Sequence, residues 1–150
     1  MNYEQLGLFG IFIAGAIPWM EAIAVVPAGI LFGLDPVLTV IAAVAGNAIT
    51  IFLFAYASSG IRSWLIRRRE AKGKTGDSPK YLKAVAAFDR YGIWGMAALG
   101  PILIGTQFAA AASVAAGVKP LKVSILITAS TALWSIAIAW VVVALGVQIL

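Results

Sequence analysis

LGLFGIFIAGAIPWMEAIAVVPAGILFGL, residues 6–34, decides how this chain is read. Two apolar runs of about a dozen residues flank a central interruption, Pro18-Trp19-Met20-Glu21. Proline lacks a backbone donor and its ring collides with the preceding turn, so a helix through this stretch is expected to break there. Twelve helical residues reach about 18 Å, well short of the roughly 30 Å hydrocarbon core of a bilayer. The expected shape is a re-entrant hairpin, which dips into the membrane and returns to the same side. Non-helical backbone at that depth is tolerated where protein or a water-filled cavity covers it. The plainer alternative is one long kinked helix.

A second apolar stretch, 91–118, is interrupted in the same way by Gly100-Pro101-Ile102-Leu103-Ile104-Gly105-Thr106-Gln107. Two others, 37–58 and 121 to the C-terminus, are unbroken, with Lys122 at one edge as their sole charge. Each satisfies the roughly 20 apolar residues that a spanning helix needs. The order "broken segment, Gly-x-x-Pro turn, spanning helix" occurs twice. Gly33-Leu34-Asp35-Pro36 aligns with Gly117-Val118-Lys119-Pro120, and Pro18 with Pro101 after a one-residue gap.

Composition agrees. The chain is 62% hydrophobic and 11% charged, against about 25% charged in a soluble domain, so a water-facing surface cannot be assembled. With no Cys and no His, the usual zinc sites, thiolate chemistry and histidine triads are excluded. No nucleophile–base pair or metal cluster is visible, and neither an enzyme nor a cofactor is expected. The first apolar block lacks the basic start of a signal peptide and is expected to be retained.

Nine of the eleven basic residues (Arg62, Arg67, Arg68, Arg69, Lys72, Lys74, Lys80, Lys83 and Arg90) lie in one window with three acids, giving it +6. Short basic connections between apolar blocks lie on the cytoplasmic side. The 60–88 loop is therefore expected to be cytoplasmic, in a multi-pass protein of the cell (inner) membrane, rather than a nucleic-acid site. Ile61–Arg69 and Lys80–Phe88 read as short helices at the headgroup surface, where cations meet anionic lipid. With that loop inside, one crossing per half leaves Asp35 outside and Lys119 and Lys122 inside, as charge placement requires. Four full crossings would put both lysines outside. The expected fold is thus an all-α integral membrane protein of one domain with two inverted repeats, about 6–58 and 90–150, each a re-entrant helical hairpin followed by a spanning helix. Inverted repeats with broken helices recur in transporters.

Glu21 is the most informative residue. A carboxylate within the bilayer costs on the order of 2.5–3.5 kcal/mol, and at a hairpin tip it could take up a proton and couple its release to substrate movement. Its bland role is to cap the half-helix beginning at Ala22. Asn47, mid-helix after Gly46, could bind substrate or tie helices together. Pro101, Gly105, Thr106 and Gln107 form the second break, where amides at a half-helix N-terminus suit an anion. Arg90 could attract a phosphate or carboxylate, or pair with Asp89.

These residues resemble the small multidrug export proteins, a branch of the DedA (VTT-domain) superfamily. Glu21-Ala-Ile-Ala-Val-Val-Pro27-Ala-Gly29 is similar to that family's glutamate followed by proline and small residues at the first hairpin, with Pro18, Pro27 and Gly29 as turn residues. Phe88-Asp-Arg90-Tyr-Gly92 and Gly100-Pro101-Ile-Leu-Ile-Gly105-Thr106 are similar to the second hairpin, with Leu103 in place of its second proline and Gln107 where an arginine is expected. The resemblance implies facing hairpins, proton-coupled transport, and a small-molecule or polyprenyl-phosphate-like lipid substrate. Membrane lipids and protons are the expected partners, and a homodimer is compatible with the pattern. A four-helix drug/proton antiporter of the small multidrug resistance kind and a non-transporting membrane scaffold are the alternatives.

Overall fold

The structure, a computed structural model, describes residues 2–146 and holds seven helices, with no strand among the described residues. They are α1 (Tyr3–Ala16), α2 (Ala22–Leu31), α3 (Pro36–Tyr56), α4 (Ser58–Glu70), α5 (Pro79–Leu103), α6 (Thr106–Ala115) and α7 (Pro120–Ala144). Both breaks read from proline and glycine are present, between α1 and α2 and between α5 and α6.

Local chemistry sets the ends. Asn2 accepts from the Gln5 amide at 2.8 Å while the Gln5 side chain accepts from the Asn2 amide at 3.2 Å. This reciprocal box satisfies two of the donors that a helix start leaves unpaired. Ser78 caps α5 by accepting from the Tyr81 amide, and Pro79 takes the first helical position, where a missing N–H costs nothing. Within α5 the backbone leaves helical geometry at Gly92 (φ 63°, ψ −170°). The expected short helix over Lys80–Phe88 is therefore the first arm of α5, and the apolar arm of the break begins after Gly92.

Backbone hydrogen bonds show the repeat far more sharply than side chains do. The amides of Phe32, Gly33 and Leu34 donate to the carbonyls of Ala28, Ile30 and Gly29; those of Ala116, Gly117 and Val118 donate to Ala112, Val114 and Ser113. Every pair differs by 84, as do Val25→Glu21 against Ala109→Gly105 and Thr39→Asp35 against Val123→Lys119. Gly33 and Gly117 both have positive φ, 81° and 101°, the left-handed helix end that glycine supplies without a Cβ penalty.

The same offset governs burial. On α3 the most buried positions recur every four residues: Thr39, Ala43, Asn47, Ile51 and Ala55. On α7 they are Val123, Ile127, Thr131, Ser135 and Ala139, again shifted by 84. Away from that stripe both helices are apolar and exposed, with 33% of the α3 window and 22% of the α7 window buried. The core helix of a soluble protein would be mostly buried. At 21 and 25 residues, with mean hydropathies of 2.3 and 2.0 over an 18-residue stretch of each, both are long and apolar enough to cross a bilayer.

The chain packs as two units. One comprises residues up to Thr50 together with those from Thr128; the other is Ile51–Ile127. The core of the first gathers Ala22, Val26 and Ile30 of α2 with Ala43 and Ala139. In the second, Met96, Ala97, Ile104, Phe108 and Ala109–Ala110 meet Ile51, Ala55, Val123 and Ile127. Each core thus joins a broken helix pair to the near half of one long helix and the far half of the other.

Candidate functional site

In the first unit, contacts fix how far the broken pair reaches along α3. The Tyr3 hydroxyl donates to the Phe32 carbonyl at 3.3 Å, and a Cβ on Gly7 would stand 2.7 Å from Leu34 Cδ2. The start of α1 therefore lies beside the end of α2, and a single long kinked helix is ruled out. At its other end α1 abuts the middle of α3. Gly15 sits against the Ala43 carbonyl and Gly46 against that of Phe12, with the Ala16 nitrogen 3.1 Å from where a Gly46 Cβ would be. Backbone meets backbone because neither glycine carries a side chain. The turn Ile17–Glu21 follows immediately, level with the midpoint of α3.

Glu21 occupies the N-cap position of α2, 8% exposed, at φ 32°, ψ 148°. Its side chain makes no capping hydrogen bond, so helix capping does not account for a carboxylate here. In the second unit the residue 84 positions later is Gly105, N-cap of α6, at φ 106°, ψ 139°. The break is built the same way twice, once from glycine and once from glutamate.

Asn47 is fully buried beside Gly46, and its carbonyl accepts from the Thr50 hydroxyl at 2.9 Å. Its counterpart at the 84-residue offset, Thr131, is fully buried too, as are Thr39 and Ser135. The sequence reading missed Thr131 and Ser135. The signal was the Gly-x-x-Pro alignment, which carried forward along α7 places Thr131 where Asn47 stands.

Pro27 and Gly29, expected at a turn, lie inside α2 instead. Proline at the sixth position of a ten-residue helix forgoes a single bond, to Ile23, and the helix continues. A Cβ on Gly29 would stand 2.6 Å from Thr39 Cγ2 and 2.9 Å from Ile11 Cδ1, so its role is close packing of α2 on α1 and α3. Pro18 does sit in the turn.

In the second unit Gly105, Thr106 and Gln107 come together at the break, all buried, whereas Pro101, expected at the break, is buried inside the last turn of α5, which continues to Leu103. The Gly105 amide donates back to the Gly100 carbonyl at 2.8 Å. Phe108 follows, its ring 6.3 Å from that of Phe54 with the Lys80 ammonium 5.2 Å from its centroid. Arg90 does not join this group. It is exposed before Gly92, its guanidinium 5.3 Å from the Tyr91 ring, and the eleven-residue arm 93–103 separates it from the turn by about 16 Å. An ion pair links Arg62 to Asp77 instead, bidentate at 2.8 and 2.9 Å.

That ion pair borders a cavity of about 340 Å³ lined by Tyr81, Leu82, Val85, Phe88 and Asp89 of α5 and by Ala112, Ala115 and Ala116 at the end of α6. The Arg62 hydrogen bond holds Asp77 below the usual carboxylate range, with Arg69 adding to it. Asp77 in turn raises Arg62, and burial pushes the Tyr81 hydroxyl up. Arg62 and Asp77 stand fifteen residues apart across the loop, a pairing that no spacing rule could have indicated. No group of three His, Cys, Asp or Glu that could hold a metal occurs among the described residues.

Two bilayer-length apolar helices, two broken helix pairs and a carboxylate buried at one break define a helical membrane protein. Residues 21–137, which include Glu21, Gly105, all of α3 and most of α7, match the family described as "Putative small multi-drug export protein", and the chain belongs to that family. No curated protein and no solved structure matches it.

Proposed function

We propose that this protein is a proton-coupled membrane transporter whose proton-carrying group is Glu21. One observation carries the reading. The backbone at the break needs a positive φ, the second repeat meets that need with Gly105, and the first keeps a glutamate there. A non-glycine residue in such a conformation costs about 1–3 kcal/mol, and such strain concentrates at functional sites. Burial of the carboxylate adds to the cost. A residue held against both penalties, doing no capping, is retained for its chemistry.

The arms explain the architecture. At 14 and 10 residues, α1 and α2 reach about 21 and 15 Å, too short to cross singly. Together with the turn at the α3 midpoint, these lengths support a re-entrant hairpin in each repeat. With the basic 60–88 loop on the cytoplasmic face, single crossings by α3 and α7 make the repeats inverted, in the inner membrane, as in the DedA superfamily. Gly105, Thr106 and Gln107 line the second hairpin's tip, where backbone amides suit an anionic group on the substrate, a small molecule or lipid phosphate that is moved without being chemically altered. Arg90 stands at the cytoplasmic mouth.

The test has two arms. Cells expressing the wild type and Glu21→Gln are compared for survival and dye accumulation across a panel of cationic, neutral and anionic compounds; a phenotype that the variant lacks, at equal membrane abundance, is expected. Separately, a tag at the C-terminus is mapped relative to one inserted at Gly73–Gly76. Tags on opposite faces are expected. Both tags on the same face would overturn the single-crossing topology, and an active Glu21→Gln would overturn the role of the carboxylate.

A further inference from the structure

The cavity bordered by the Arg62–Asp77 pair lies wholly within the second unit, outside the machinery assigned to Glu21 and the second break. At about 340 Å³ it stands at the small end of the range, about 300–1,000 Å³, in which proteins hold small molecules. One wall is the first arm of α5. Tyr81, Val85, Phe88 and Asp89 there fall within about 100° of arc and extend over about 12 Å of helix. The other wall is the end of α6, where Ala112, Ala115 and Ala116 are too short to close the gap. Nothing in the fold requires alanine at these places. Their counterparts 84 residues earlier are Ala28, Leu31 and Phe32. Phe32 and Ala116 end their helices in nearly the same backbone conformation, φ −83°, ψ 11° and φ −80°, ψ 0°. The space beside α5 is therefore a matter of side-chain choice, at a helix end whose backbone accepts large residues.

The lining also sorts charge. The 62–90 window carries nine cations and three acids, yet two of those acids, Asp77 and Asp89, line this cavity with one of the cations, Arg62. The lining is thus at −1 within a window at +6. Arg62 is engaged by Asp77 through two hydrogen bonds, and its guanidinium stands 5.4 Å from the Tyr81 ring centroid. Asp89 makes no hydrogen bond or ion pair among the described residues, and the neighbouring Arg90 lies over the Tyr91 ring instead. One carboxylate is left unmatched, beside a half-buried phenylalanine and between two mainly apolar walls.

We propose that this cavity binds a small organic monocation with a flat apolar body. Asp89 supplies the opposite charge, and the Phe88 ring adds to it, since a cation within about 6 Å of an aromatic centroid is attracted to the ring. The apolar body fills the space that the alanines leave. An anion is disfavoured, because Asp77 already engages the one arginine of the lining. The site goes beyond the transport reading and does not depend on it, since binding is an equilibrium property of the second unit.

The full-length protein in nanodiscs of zwitterionic lipid is titrated with ethidium, a flat aromatic monocation, and binding is read by fluorescence anisotropy against empty discs. Saturable binding is expected. Asp89→Asn should weaken it about tenfold or more, because an opposite charge in a partly enclosed site acts through a lower dielectric than water. Asp89→Glu should keep it. Ala116→Phe, matching Phe32 of the first repeat, should weaken it by occupying the space. The anionic dye anilinonaphthalenesulfonate should not displace ethidium. Should a variant fail to accumulate, photolabelling of the unaltered protein with ethidium azide, mapped by mass, gives a second reading, with labels expected on 81–89 and 112–116. Absence of saturable binding, an Asp89→Asn or Ala116→Phe protein that binds like the wild type, displacement by the anionic dye, or labels confined to other segments would overturn the site. If ethidium binding depends on Asp89 while Glu21→Gln transports normally, the site stands and the proton-coupled reading fails.

Discussion

Replacing Glu21 with glycine should make the protein more stable and inactive. At φ 32°, ψ 148° the residue is strained by about 1–3 kcal/mol, and the equivalent position of the second repeat, also at positive φ, is already a glycine, Gly105. The change also removes a carboxylate that is 8% exposed. Against these gains, glycine loses more freedom on folding, about 0.5–1 kcal/mol. The net effect is a gain of roughly 0.5–2 kcal/mol, which for a chain of this length raises the midpoint by about 2–6 °C. Glu21→Gln separates the two effects. It keeps the side-chain shape and the backbone strain while removing the ionisable group, so it should show little of the gain and the same loss of activity. The assay is thermal unfolding of the purified protein in one detergent, followed by tryptophan fluorescence, with the transport phenotype measured on the same variants. The converse, Gly105→Ala, should cost about 1–3 kcal/mol. A Glu21→Gly protein that unfolds below Glu21→Gln would refute the strain argument. One that still transports would refute the assignment of the carboxylate.

Other substitutions probe the packing. Gly46→Ala places a methyl group against the Phe12 carbonyl, backbone that cannot swing aside, and should cost about 1–3 kcal/mol in the same unfolding assay. Gly29→Ala meets the side-chain tips of Thr39 and Ile11, which can turn away, and should cost less; equal losses would argue against the close backbone approach. The Arg62–Asp77 link is half exposed on its arginine side and should contribute under about 1 kcal/mol. Because Asp77 is held below its ordinary 3.8, that contribution is present above this value and fades as pH falls through the lower folded-state value. Amide-exchange protection over 73–78 should therefore exceed that of Asp77→Asn at pH 6 and converge with it only once the pH has fallen below 3.8 and through the folded-state value. A difference independent of pH would sink the tether.

How much of this was legible in the sequence follows from which physical signals survive in residue identity. Pro18 and the Gly100–Gly105 run announce their breaks because proline and glycine alter the backbone directly. The Gly-x-x-Pro turns exposed the repeat for the same reason, since the left-handed helix end demands glycine whatever surrounds it. Beyond those turns the repeat vanishes from the letters. The buried stripes pair Thr39 with Val123, Ala43 with Ile127, Asn47 with Thr131 and Ile51 with Ser135, because packing constrains volume and spacing while leaving polarity open. Backbone hydrogen bonds displaced by 84, with buried positions displaced by the same amount, carry the register of the Gly-x-x-Pro turns along the helices, and that register identifies Thr131 and sets Gly105 beside Glu21 as an internal control. Pro27 misled in the opposite direction. Proline near a glycine suggests a turn, yet in a ten-residue helix packed through Gly29 the loss of one hydrogen bond is smaller than the gain from continuous contact with α1 and α3. Where the two repeats share a backbone, their differences in side chain are not needed to hold the fold. Glu21 against Gly105 is therefore the place where selection for something other than folding is to be sought.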